Sequence, residues 1–227
     1  MAETIPNSVG VSRGGFQKSF LAQAWLVLLL AVSFGSALAF VQNSLSDVIA
    51  ANKLNETLTQ VPELVWGADT PQYTADTSHP IQITPGTVSI KKVQKTAYYP
   101  VFRVSRGDII SGWVVKARGQ GYADNIEVLI GADPHVETIT GLFILEQKET
   151  PGLGNKITFP TWREQFAGKN TDTPFVVVKE KSTTKNSIDA VTGATISSRS
   201  VAGIVNQTVK DVKGRLTPQT VLSGEGP

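Results

Sequence analysis

From Phe20 to Val41 the chain reads FLAQAWLVLLLAVSFGSALAFV, without a charged residue. As a helix this run is roughly 33 Å long, enough to cross the hydrocarbon core of a bilayer. Gln23, Ser33 and Ser36 are tolerable inside it, since hydroxyls and amides bond within the helix or to neighbours. Arg13 and Lys18 precede the run. The positive-inside tendency therefore puts the N-terminus in the cytoplasm and everything after Val41 outside. The competing reading is a secretory signal peptide, with Ala37-Leu38-Ala39 as its cleavage site. The apolar run exceeds the usual h-region of about 7–15 residues, which favours an uncleaved single-pass anchor.

Composition narrows the chemistry. The chain has 227 residues, a formal net charge of +2 and no cysteine. A balanced charge gives no support to a nucleic-acid partner. Without cysteine there is no disulfide framework, thiolate zinc site or cysteine-held iron–sulfur cluster. His79 and His135 sit in turn-like contexts with no companion ligand at useful spacing, so both read as solvated and no metal site is expected. Any redox chemistry must come from an organic cofactor.

Beyond the apolar run, residues 42–58 have Leu45, Val48, Ile49 and Leu54 at helix-compatible spacing and continue the helix into water. A polar, Pro- and Thr-rich stretch at 62–85 reads as loop, with room for one short strand. Strand patterns begin near Val88. Residues 97–104 and 109–116 form a pair, with Arg106-Gly107-Asp108 as a hairpin turn rather than an adhesion signal. Residues 126–130 and 139–147 form another pair, and 175–179 a buried strand. Trp162 to Phe166 reads as a short helical turn. Then Val201, Ile204, Val205, Val209 and Val212 make one apolar helical stripe, with Thr208 at its margin. Ser197 or Ser198 is the expected cap, and Gly214 and Pro218 the stop. The class is α+β: one transmembrane helix, then a mostly antiparallel sheet with a few helices. The expected divisions are a cytoplasmic N-terminus (1–19), the transmembrane helix (20–41), a juxtamembrane helix and linker (42–87), an extracytoplasmic domain (88–216) and a flexible tail (217–227).

Just before the last helix stands Asp189-Ala190-Val191-Thr192-Gly193-Ala194-Thr195. Gly193 and Ala194 allow a bulky group close to the backbone. The unpaired amides of Ile196, Ser197 and Ser198, with the positive end of the helix dipole, would stabilise a phosphate there. By physics alone such a string is more often simple capping. It resembles, however, the recognition sequence of flavin transferases, which attach FMN from FAD to the final threonine and expel AMP. A second string, Glu149-Thr150-Pro151-Gly152-Leu153-Gly154 followed by Trp162, resembles the loop of FMN-binding domains that lies against the flavin ring. A third, Gly119-Gln120-Gly121-Tyr122, resembles the glycine–aromatic turn before that family's central strand.

In this order behind one anchor, the strings resemble the RnfG/NqrC family, the FMN-carrying components of ion-translocating redox complexes. RnfG belongs to the Rnf ferredoxin:NAD oxidoreductase, and its sister NqrC to the sodium-pumping NADH:quinone oxidoreductase. The compact chain, without the long insertions of the sodium-pumping sister, favours the Rnf relative. The resemblance implies an FMN-binding domain at 88–216 with FMN joined covalently to Thr195. Asp189, Thr192, Gly193, Ala194, Glu149, Thr150, Gly152, Leu153 and Gly154 would be cofactor-binding. It implies a redox component that catalyses nothing alone, lies in a bacterial inner membrane, partners other membrane subunits, and meets a flavin transferase during maturation. Because Phe20–Val41 carries no charge, ion movement is expected to belong to other subunits. Two readings of other classes compete. One is an anchored binding domain without cofactor. The other is a Ser/Thr hydrolase, disfavoured by the absence of a Gly-x-Ser-x-Gly elbow.

Overall fold

The computed structural model describes residues 14–75, 79–92, 96–179, 184–220 and 222, with side chains from residue 20 onward. Arg13, the side chain of Lys18 and the tail from 223 lie outside the described residues. The chain divides into two units, 1–53 and 54–227.

Helix α1 runs from Gly14 to Trp66, 53 residues without interruption. Its portion in the first unit is exposed from residue 20 to residue 52 and contains a stretch long and apolar enough to cross a membrane. The loop expected from Pro62 does not start there: α1 passes through Pro62 and ends only at Trp66. A proline inside a helix removes one donor and crowds the preceding turn. Here that cost is offset because Val61, Leu64 and Val65 are buried against the sheet. Gly67, at φ +56°, ends the helix in the left-handed region that glycine adopts without strain. A short 3-10 turn and helix α2 (Thr70–Ala75) follow.

The sheet is an antiparallel meander: β1 (Ile81–Lys91), β2 (Thr96–Arg106), β3 (Ile109–Gln120), β4 (Asn125–Ala132) and β5 (Ile139–Glu146), paired in that order. It begins earlier than the pattern near Val88 suggests, because Ile81 and Ile83 pack beside the α1 end while the polar Gln82 between them faces away. Gly107, at φ +58°, makes the expected turn between β2 and β3. Both faces are covered. Period-two alternation sends Ile126, Val128 and Ile130 to one face and Leu129 to the other.

The Leu129 face receives the end of α1 on a seat of glycines. A Cβ on Gly131 would collide with the Leu64 carbonyl oxygen, and one on Gly141 would lie 3.1 Å from it. Thr140 Oγ1 donates to that same carbonyl at 2.6 Å. This satisfies one of the acceptors that a helix C-terminus leaves unpaired. The opposite face carries α4 (Thr195–Val212), whose Val201, Ile204, Val205 and Val209 join the main core as the stripe requires. Val212 and Leu216 close a third cluster with Trp113, where Leu222 of the C-terminal segment also packs.

Between these layers lie a 3-10 turn at 154–158, the short helix α3 (Pro160–Arg163) with a 3-10 turn to Phe166, and a parallel pair, β6 (Val176–Val178) and β7 (Ser187–Asp189). Asp211 fixes the far end of α4 to β2, accepting from Tyr99 Oη at 2.6 Å and pairing with Lys92 Nζ at 2.5 Å.

Two measurements check these contacts. Gly131→Ala should destabilise the aqueous domain by about 1–3 kcal/mol in chemical denaturation, because the added methyl meets backbone that cannot move aside. Burial pulls the Asp211 carboxyl upward, but the hydrogen bonds from Lys92, Tyr99 and Gln207 prevail and hold it below its ordinary value. Its contribution is therefore present at neutral pH and lost as pH falls through the depressed folded pKa. Asp211→Asn should flatten the acid limb of the stability–pH curve.

Candidate functional site

Thr195 is the first residue of α4 and lines a groove of about 450 Å³ with Tyr122, Thr150, Leu153, Gly154, Gly193, Ala194, Ile196 and Ser197. The fold thus brings the three sequence strings together. Thr195 is half-buried, and its hydroxyl makes no hydrogen bond among the described residues. The helix's own bonding starts with Ser198 N–H donating to the Ala194 carbonyl at 3.0 Å. The amides of Thr195, Ile196 and Ser197 therefore precede the first helical bond and have no acceptor within the helix. Ser198's amide, expected to be free, is used.

The expected cap is also different. The N-cap position belongs to Ala194, which has no side-chain oxygen. Ser198 instead reaches back from the first turn. Its hydroxyl accepts from Val191 N–H at 3.0 Å and donates to the Ala194 carbonyl at 3.0 Å. Capping by a hydroxyl is a local effect, and sequence cannot say which hydroxyl wins when loop and helix compete for it. Between these anchors Gly193 turns at φ +80°, and a Cβ there would sit 3.0 Å from Leu153 Cδ2. Leu153 thus lies over a bare patch of backbone next to Thr195.

Glu149 lies beneath the groove rather than on its wall. It is buried, and its carboxylate accepts from the Ser197 hydroxyl at 2.5 Å and from Ala123 N–H at 3.1 Å. Two glycines make room for it. A Cβ on Gly121 would strike Glu149 Oε1, and one on Gly154 would meet Glu149 Cβ at 2.8 Å. Gly152 turns at φ +77° outside the groove lining. Thr150 contributes its carbonyl to the same turn, accepting from Leu153 and Asn155.

Asp189 and Thr192 also stand outside the lining. The backbone of Asp189 is held at both ends: its N–H donates to Gln165 Oε1 at 2.7 Å, and its carbonyl accepts from the Trp162 indole at 2.8 Å. Neither the Asp189 carboxylate nor the Thr192 hydroxyl forms a hydrogen bond among the described residues. Gln165 and Ala123 carry no sequence signal, because each acts through one bond to backbone or to a distant carboxylate. His79 and His135 are both exposed, as expected, and neither lines the groove.

The arrangement fits a flavin mononucleotide. Amides at the N-terminus of α4 suit its phosphate. The exposed side chains of Tyr122, Leu153 and Ile196 offer apolar contact to a ring system, and Gly193 lets a bulky group approach the main chain.

Comparison with known proteins agrees with this geometry. Residues 121–210 match the family described as FMN-binding domain. That stretch, from the turn after β3 into α4, is therefore similar to FMN-binding domains. Over 109 residues the chain is 39% identical to the G component of the Na(+)-translocating ferredoxin:NAD(+) oxidoreductase complex of Acetobacterium woodii, covering 47% of this chain and 51% of that protein. Over 133 residues it is 30% identical to the C component of the Na(+)-translocating NADH-quinone reductase of Vibrio anguillarum, covering 56% and 52%. The chain thus spans about half the length of these curated relatives. Its fold matches the crystal structure of Shewanella oneidensis NqrC with a TM-score of 0.55, at 22% identity over 73% of this chain and 98% of that one. The resemblance read from the three motifs is therefore found, and so is the α+β class.

Ser198→Ala tests the loop anchor. Removing the acceptor of the buried Val191 N–H should cost about 1–3 kcal/mol. Hydrogen exchange should show faster loss at the Val191 amide than at the centre of α4.

Proposed function

We propose that FMN is joined to this chain by a phosphoester to Thr195 Oγ1, and that the chain is an electron-relay component of a membrane-bound Rnf-type complex. The observation that carries the reading is the position of Thr195: a hydroxyl without a hydrogen-bond partner among the described residues, on the first turn of α4, beside amides that precede its first helical bond. The 39% identity to the ferredoxin:NAD(+) oxidoreductase component supports the Rnf-type assignment over the sodium-pumping sister, where the identity is 30%.

In this reading each residue has a mechanical part. The amides of Thr195, Ile196 and Ser197 bind the phosphate oxygens. Leu153, Tyr122 and Ile196 would offer apolar contact to the ring and shield it from water, with Thr150 and Gly154 completing that wall. Glu149 touches the cofactor least; it positions Ser197 and the 121–123 turn. Gly152 shapes the loop that carries Leu153, and Gly193 with Ala194 admits the phosphate. Asp189 and Thr192, whose polar ends are unused by the fold, are the groups a flavin transferase would read. FMN supplies the electron transfer when bound, and the chain holds it where loss by dissociation is prevented. Phe20–Val41 anchors the domain on the periplasmic or extracellular side of a bacterial inner membrane, and its lack of charge leaves ion movement to other subunits.

The test is a denaturing gel of the full chain from its native membrane, viewed under ultraviolet light before staining. The wild-type band should fluoresce and Thr195→Ala should not. A dark wild-type band, in cells shown to flavinylate another protein, would mean an anchored domain without covalent flavin.

A further inference from the structure

Helix α4 breaks a local rule at its start. Acidic side chains are favoured in the first turn of a helix, where they offset the partial positive charge of the unpaired amides. The first turn of α4 holds no acidic residue. Its first charged residue is instead a cation, Arg199, in the second turn, and the next charges, Lys210 and Asp211, stand in the last. Arg199 is exposed, and among the described residues it makes no hydrogen bond and no ion pair. Cations on neighbouring segments differ. Lys148 pairs with Asp124 at 3.4 Å, and Arg118 with Glu127 at 4.0 Å. A positive side chain beside a positive helix end costs stability until an anion joins them. A local rule broken without compensation inside the fold marks a functional position.

The sequence position says where that anion would lie. Arg199 is four residues after Thr195 and three after Ile196, so the three share one side of α4, with Cβ atoms about 5–6 Å apart. Side chains on a helix lean toward its N-terminus, and a long one covers the turn before its own Cα. The turn before Arg199 carries Thr195 and Ile196, which both line the groove. Ser197, Ser198, Val201 and Ala202 face the core instead, so the guanidinium is left on the groove side. The lining has no charged side chain of its own. Glu149, beneath it, is committed to Ser197 and Ala123 and leaves the cation unanswered.

We propose that Arg199 is the charge partner of the FMN phosphate, adding a guanidinium to the amides at the start of α4. The inference rests on the reading of this groove as the FMN site, but not on a covalent bond to Thr195. A guanidinium holds a phosphate through two parallel N–H donors, which fixes orientation as well as charge. Arg199 thereby makes the groove selective for a flavin that carries a phosphate, and the anion relieves the electrostatic conflict at the helix end. The ring contacts are left to Leu153, Tyr122 and Ile196.

The test uses the full chain in detergent, made in cells without a flavin transferase so that Thr195 is unmodified. Free FMN and riboflavin, which differ only in the phosphate, are titrated separately and followed by flavin fluorescence. Wild type should bind FMN more tightly than riboflavin. Arg199→Gln should weaken FMN about three- to tenfold, as for a charge-assisted bond at an exposed site, and leave riboflavin unchanged. Arg199→Lys should restore part of the preference, and added salt should erode it. Thermal unfolding supplies a sign that a merely structural residue would not give. Without flavin, Arg199→Gln should melt at the wild-type temperature or above it; with saturating FMN it should melt below.

An unchanged ratio of FMN to riboflavin affinity in Arg199→Gln would overturn the proposal. So would equal weakening of both flavins, or a wild type that does not distinguish them. In-gel fluorescence of the chain from its native membrane reports the Thr195 bond separately. A dark native chain that still prefers FMN through Arg199 loses the covalent reading alone. A fluorescent one whose Arg199→Gln variant keeps the wild-type ratio loses this inference alone.

Discussion

The groove depends on one buried carboxylate. Glu149 is shared between the hydroxyl of Ser197 on α4 and the amide of Ala123 after β3, and it belongs itself to the loop that carries Leu153. A polar group buried without partners is costly, so each donor is obligatory. Three segments far apart in sequence are thereby held at one point. The glycines at 121 and 154 follow from it, since a methyl group at either would occupy space the carboxylate or its stem needs. What the sequence presents as two separate glycine motifs is one accommodation of one side chain.

A second hub serves the other wall. The indole of Trp162 and the side-chain amide of Gln165 grip the backbone of Asp189, and Ser198 grips Val191. The loop from Asp189 to Ala194 is therefore fixed before and after Gly193, and the positive φ of that glycine is enforced from both sides. The motif's residues divide accordingly. Gly193 and Ala194 are explained by the fold itself. Asp189 and Thr192 present polar groups that make no hydrogen bond among the described residues.

Much of this was legible in the residues. The apolar run, the stripe of α4, the Arg106–Asp108 turn and the β4 and β5 strands follow from periodicity and turn chemistry, because each is decided by neighbours in sequence. The passage of α1 through Pro62 was not legible. It depends on Leu64 docking against Gly131 and Gly141, a contact between distant segments that outweighs a local penalty. The displaced cap has the same origin, with Ser198 drawn into the loop by a buried amide. Thr195 could be singled out as a position, whereas the side chains arranged around it could be grouped only once the meander had folded.

The order of the strands has a kinetic side. Each strand of the meander pairs with its neighbour in sequence, so the sheet closes only short loops as it forms. Helix α4 is different: Ile204 packs over Gly119, a contact between segments far apart in the chain. A chain made from its N-terminus can assemble its strands one by one, but must wait for its last helix before the main core is sealed. The element that begins with Thr195 is thus also the one whose arrival completes the domain, and threonine and groove come into being together at the end of folding.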